Sequence, residues 1–202
     1  MESAHNSSTE PKKIGIYSGS FNPVHLGHLK LAEYIVENDI VDEVWFVVSP
    51  CNPLKNQLDL LDEYLRLEML IFAIQSNPKF KASDVEFSMP IPSYSIDTLH
   101  HLSSQYPNYQ FILIIGSDNA LIFDQWKSYN QLLTKFPILV YPRNGYDFSE
   151  VAELYPQMQL LSTPYYEISS TQIRKFIAQK KDVSEWLHPI VNQFIINNNL
   201  YC

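Results

Sequence analysis

The stretch Ile14-Gly15-Ile16-Tyr17-Ser18-Gly19-Ser20-Phe21-Asn22-Pro23-Val24-His25-Leu26-Gly27-His28 decides how this chain is read. Ile14 to Tyr17 is an apolar run that reads as a buried first strand. Asn22 is a good N-cap, and Pro23 suits the first helical position because the N–H it lacks would be unpaired there anyway. The pattern predicts a helix over 23–38, continuing through Leu29, Leu31, Ala32 and Ile35. His25 then falls in the first turn, with His28 three residues on along the same face. A loop holding Gly19, Ser20 and Phe21, a helix N-terminus with free N–H groups and two imidazoles converge on one point. Such a point suits an anion, above all a phosphate. A strand, glycine loop and helix also occur as a plain structural unit of α/β proteins, and the stretch alone leaves that reading open. Metal ligation is not expected. Zinc-binding helices set their histidines four apart with a glutamate between, whereas here the spacing is three and no carboxylate intervenes.

Ile168-Ser169-Ser170-Thr171-Gln172-Ile173-Arg174 repeats the design near the other end of the chain. Ser169 and Gln172 form a capping box, and Ile173, Phe176 and Ile177 give the helix predicted over 170–180 its apolar stripe. Ser170 and Arg174 lie four apart and share a face. A hydroxyl, free backbone N–H groups and a guanidinium at one helix start make a second anion-binding candidate. Taken alone, the same residues also describe an ordinary capped helix with a surface arginine.

Apolar runs at 13–18, 43–49, 84–88, 110–115, 136–141 and 158–161 read as strands. They alternate with helix candidates at 23–38, 61–76, 95–105, 126–135, 170–180 and 188–198. This alternation predicts an α/β fold of the Rossmann-like, doubly wound kind, a mainly parallel sheet with helices on both faces. The runs at 43–49 and 110–115 are apolar on both alternating faces, as central parallel strands are. Ligands of such sheets bind beyond the carboxyl ends of the strands, near the switch point. The histidine loop follows the first strand, and Gly116-Ser117-Asp118 follows the strand at 110–115. Turn residues make 141–150 a surface loop. The chain lacks the Gly-x-Gly-x-x-Gly of a dinucleotide-dependent dehydrogenase, the phosphate loop of a Walker-type ATPase and the Gly-x-Ser-x-Gly of an α/β-hydrolase.

At 202 residues the chain fits one domain over 13–202, behind a polar tail at 1–12 that reads as disordered and carries no signal peptide. Hydrophobic content of 46% and charged content of 18% suit a globular protein. A net charge of −8 and a pI of about 5.1 give no basic field for coating a nucleic acid, but leave room for a nucleotide held by local positive groups. No apolar run approaches the roughly 20 residues that span a bilayer, so no membrane partner is expected. Cys51 and Cys202 build no disulfide framework, which points to a cytoplasmic protein. Nothing in the sequence decides the oligomeric state.

The two motifs together carry a resemblance. His25-Leu26-Gly27-His28 resembles the (His/Thr)-x-Gly-His signature of a nucleotidyltransferase superfamily, and residues 168–174 match its Ile-Ser-Ser-Thr-x-x-Arg element. Gly116-Ser117-Asp118 with Phe123, Trp126 and Lys127 is similar to a Gly-x-Asp…Phe-x-x-Trp-Lys segment of the bacterial nicotinate-nucleotide adenylyltransferases. So are the segments Pro92 to Leu99, Asn52 to Lys55 and Arg66 to Leu70, all in the family's order from about Lys13 onward. Ser117 and Asn144 depart from the family pattern without touching its phosphate chemistry.

The resemblance implies transfer of the adenylyl group of ATP to nicotinate mononucleotide, giving nicotinate adenine dinucleotide and pyrophosphate, with Mg2+ arriving on the ATP. It implies direct attack by the acceptor's phosphate, with His25 and His28 on the α- and β-phosphates. Ser169, Ser170 and Arg174 would hold the β- and γ-phosphates, with Gly19, Ser20, Phe21 and Gly116 also on the ATP side. Asp118 is then a ribose acceptor or merely a helix cap, and Lys55 a phosphate contact or a solvated lysine. Trp126 becomes the platform for the pyridine ring, with Tyr94 and Ser95 beside it, while Arg143 faces either site or solvent. The alternatives are a pantetheine-phosphate adenylyltransferase, a cytidylyltransferase or a nucleotide-binding domain without catalysis.

Overall fold

The computed structural model describes residues 10–51, 60–146 and 148–202. Six strands form one sheet: β1 (Lys12–Gly19), β2 (Glu43–Val48), β3 (Phe80–Ser83), β4 (Tyr109–Gly116), β5 (Ile138–Tyr141) and β6 (Gln159–Leu160). All five pairings are parallel, in the order β3-β2-β1-β4-β5-β6. This is the doubly wound order, which reverses direction between β1 and β4. Ile14 pairs with Glu43 on one side and Phe111 on the other, so the histidine loop leaves the sheet at the switch point.

Alternation along the strands builds two cores. Tyr17, Val44, Phe46, Ile112 and Ile114 face one layer, with α1 (Leu26–Glu37), α2 (Glu63–Ile74), α7 (Ser170–Ala178) and α8 (Pro189–Asn197). Ile14, Ile16, Trp45, Phe111 and Leu113 face the other, with α3 (Ser95–Gln105), α5 (Tyr129–Lys135) and α6 (Phe148–Leu154). Burial on both faces explains why β2 and β4 read as continuous apolar runs.

Several local expectations need correction. The strand expected at 84–88 is β3, at 80–83, because Val44 pairs with Phe80 and the Phe46 and Phe80 rings meet at 5.4 Å. Residues 85–88 form a 3₁₀ turn that carries Glu86 inward. The helix expected at 126–135 is shorter, covering only its later part. A 3₁₀ turn covers Phe123–Gln125, Trp126 is extended, Ser128 takes a left-handed φ of 53° and α5 starts at Tyr129. The loop expected at 141–150 gives way to α6 from Phe148, whose Val151 is fully buried. A four-residue helix, α4 (Ser117–Ala120), follows β4 directly. Of the tail expected at 1–12, residues 1–9 lie outside the described residues, and Lys12 already belongs to β1.

Candidate active site

The first motif folds differently from its expected cap. Asn22 does not start the helix; His25 is the N-cap and α1 begins at Leu26. Asn22 is bound elsewhere: its Oδ1 accepts from the Tyr201 hydroxyl at 2.8 Å and the Leu61 N–H at 3.4 Å. Those bonds hold Asn22 outside the helix, just after a left-handed Phe21 (φ 44°).

The two imidazoles stack, with ring centroids 3.7 Å apart and an interplanar angle of 23°. The His25 backbone N–H donates to His28 Nδ1 at 3.2 Å. Nδ1 is thus engaged as an acceptor, which leaves Nε2 as the ring nitrogen of His28 able to donate. His25 is 4% exposed, and burial, helped by the Arg143 charge, lowers its pKa to about 3. Near neutral pH His25 is therefore uncharged.

Two adjoining cavities open at this end of the sheet. Ser20, Phe21, His25 and His28 line one of about 200 Å³, together with Asp118 and with Ser169, Ser170 and Arg174 of the second motif. Tyr94, Ser95, Gly116 and Trp126 line the other, of about 340 Å³. Tyr17, Ser18, Asn119 and Tyr141 line both. Gly19 lines neither; a methyl group there would stand 3.2 Å from the Phe21 ring. A methyl on Gly116 would collide with the Asp118 carboxylate and the Arg143 side chain, so this glycine lets both reach the site. Lys55 lies outside the described residues.

The second motif reaches the first by direct bonds. Ser169 caps α7 by accepting from the Gln172 N–H at 3.2 Å. The Ser170 hydroxyl donates to the Pro23 carbonyl at 2.9 Å. Its proton is thus committed to the loop, while Arg174 gives one N–H to Asn22 and still lines the cavity.

Five buried side-chain atoms among the described residues lack a hydrogen-bond partner. Four of them, Ser18 Oγ, His25 Nδ1, Asp118 Oδ1 and Trp126 Nε1, belong to residues lining the two cavities. Folded proteins leave few polar groups unpaired, and their concentration here marks a place built for a ligand.

Other residues hold the walls and were missed or left undecided by sequence reasoning. Arg66 is fully buried and donates to the carbonyls of Ser20, Ser49, Leu61 and Pro50, at 2.6, 2.8, 2.8 and 3.3 Å. Glu86 accepts from Ser93 at 2.6 Å and Thr98 at 2.9 Å, fixing the entry to α3 where Tyr94 and Ser95 stand. The Arg143 backbone N–H donates to the buried Ser117 hydroxyl at 2.9 Å, and its Nε lies 3.7 Å from Asp118 Oδ2, so Arg143 faces the site. Lys127 pairs with Asp97 at 2.8 Å and lies 4.8 Å from the Tyr94 ring centroid. Nothing in the sequence singled out Ser18, which closes the apolar run from Ile14 to Tyr17.

Comparison with known proteins adds the following. Residues 16–176 match the family model described as cytidylyltransferase-like. The chain is similar to a protein of Bacteroides fragilis named probable nicotinate-nucleotide adenylyltransferase, 48% identical over 91% of each chain. A protein of the same name from Cytophaga hutchinsonii is 43% identical over 94% of this chain and 98% of its own. Among solved structures, Plasmodium falciparum nicotinic acid mononucleotide adenylyltransferase complexed with NaAD superposes with a TM-score of 0.82. It is 25% identical and covered over 97% of its length by 94% of this chain.

Proposed function

The chain belongs to the cytidylyltransferase-like family and, within it, to the nicotinate-nucleotide adenylyltransferases; from that premise we propose that it joins the adenylyl group of ATP to nicotinate mononucleotide, forming nicotinate adenine dinucleotide and pyrophosphate in NAD biosynthesis. The observation that carries this reading is the pair of adjoining cavities with a shared wall. One is lined by imidazoles, arginines and helix N-termini, which suit a triphosphate. The other is lined by Trp126 and Tyr94 with hydroxyls beside them, which suits a flat heteroaromatic ring.

The reaction needs no protein nucleophile. An oxygen of the acceptor's phosphate bonds to the α-phosphorus as the bond from that phosphorus to the departing pyrophosphate breaks. The protein supplies in-line positioning and donors for the developing charge. His25, uncharged near neutral pH, and His28 donate to the α- and β-phosphate oxygens. Arg174 and the N–H groups opening α7 hold the β- and γ-phosphates. Ser170 serves by tying α7 to the Asn22-Pro23 turn. Asp118, with one oxygen unpartnered, accepts from a ribose hydroxyl. Trp126 stacks on the pyridine ring, with Ser95 at its rim.

Magnesium would arrive on the triphosphate's own oxygens and neutralise charge there. The donors facing the smaller cavity, Asp118 apart, are cationic or neutral, which suits an ion carried by the nucleotide. We read residues 13–202 as one catalytic unit in the cytoplasm; no described helix is long and apolar enough to cross a membrane. The test is pyrophosphate release from ATP or CTP with a panel of phosphorylated acceptors. Release with ATP and nicotinate mononucleotide is expected. Release only with phosphopantetheine, or only from CTP, would move the chain to another branch of the superfamily.

A further inference from the structure

We infer that the Ser18 hydroxyl contacts the phosphoryl group in transfer, a role carried by the place where the two cavities meet. If ATP fills one cavity and the acceptor the other, the reacting phosphorus lies at their common wall. Four residues make that wall: Tyr17, Ser18, Asn119 and Tyr141. The Tyr17 hydroxyl already donates to the Tyr141 hydroxyl at 3.4 Å. Ser18 Oγ is the only buried polar atom of the four residues left without a partner.

Its position on β1 is fixed by the parallel pairing of Ser18 with Val47, in a strand whose residues 14–17 are all buried. A serine has three staggered positions for its oxygen, and a change of rotamer is how the hydroxyl would turn toward a ligand at the wall. A sealed hydroxyl with no partner is a burden on the free protein, and alanine would fit the same space without it. The side chain is thus better suited to the bound state than to the empty one. Its role is that of a donor: the hydroxyl gives a hydrogen bond to a non-bridging oxygen while the acceptor's oxygen bonds to the α-phosphorus and pyrophosphate leaves. No bond forms to Ser18.

This inference rests on the adenylyl-transfer reading, and one set of measurements separates the two. Wild type and Ser18→Ala are compared for pyrophosphate release with ATP and nicotinate mononucleotide, and for thermal unfolding without ligand. A hydrogen bond to a charged group corresponds to about 10–100-fold. The expected result is a fall in kcat of at least ~10-fold for Ser18→Ala, with a midpoint no lower than wild type. A smaller fall, or a fall accompanied by a lower midpoint, overturns the inference and leaves Ser18 a packing residue. Failure of the wild type to release pyrophosphate overturns the adenylyl-transfer reading instead.

Discussion

Arg174 Nη1 donates to the Asn22 carbonyl at 2.9 Å, joining α7 to the loop after β1 across 152 positions of sequence. Ser170 reinforces the tie through Pro23, and Tyr201 closes it from the chain's end through Asn22 Oδ1. The two motifs are therefore one assembly, in which Arg174 braces the loop with one nitrogen and, in the proposed reading, holds phosphate with the rest of its fork.

Lysine cannot do both, because its ammonium is a single centre without a planar fork. Arg174→Lys should lower kcat/KM for ATP by ~10–100-fold while the KM for the acceptor stays within about threefold. Steady-state kinetics with each substrate varied in turn measures this. Intact use of ATP with lost acceptor binding would place Arg174 on the other half of the site.

His25 yields two expectations. His25→Ala removes a preorganised donor and should reduce kcat by ~10²–10³-fold. Its pKa of about 3 lies below the ordinary 6.5, so between those values the unfolded chain binds a proton that the native one refuses. Stability therefore falls as pH drops from 6.5 toward 3, by about 1.4 kcal/mol per unit from this group. His25→Asn abolishes that contribution. Urea unfolding at pH 6 and pH 4 should show a shallower loss for His25→Asn than for wild type. Parallel losses would mean that His25 is solvated in the native state.

The sequence exposed the sheet and both helix-start motifs that meet at the smaller cavity, because central parallel strands are apolar on each face and the motifs have distinctive spacing. It misled where tertiary bonds outweigh local preference. Asn22 and Pro23 are good helix starters, yet Tyr201 and Leu61 hold Asn22 outside the helix. The apolar look of Val85 and Phe87 suggested a strand, but Glu86 turns inward to bind Ser93 and Thr98. Trp126 was legible by spacing alone; its extended backbone and unpartnered indole N–H were not. Arg66 stood out only as part of a segment resembling the family; that four carbonyls from two loops surround it was not legible, because those loops are brought together by the fold.

Arg66 is a positioning residue with a large structural share. Arg66→Met keeps the aliphatic bulk but leaves the carbonyls of Ser20, Ser49 and Leu61 without their donors. Unfolding free energy should drop by about 3 kcal/mol, read as a lower urea midpoint with unchanged slope. A midpoint equal to wild type would show that water replaces the guanidinium freely.

Trp126→Ala removes the flat surface of the larger cavity. It should lower kcat/KM for the mononucleotide by at least ~10-fold and leave ATP binding, followed by calorimetry without acceptor, nearly intact. Equal losses for both substrates would assign Trp126 to packing against Phe123, whose ring centroid is 5.1 Å away.

The most direct test of the central claim is the ratio of kcat/KM for nicotinate mononucleotide to that for nicotinamide mononucleotide, with ATP as donor. The two acceptors differ only by a carboxylate against a neutral amide. Hydroxyls such as Ser95 and backbone N–H groups at the start of α3 offer donors, and an amide would turn its own N–H groups against them. The acid should be preferred by at least ~10²-fold, roughly 2.7 kcal/mol of transition-state binding. Equal rates with the two mononucleotides, or pyrophosphate release with neither, would contradict the account.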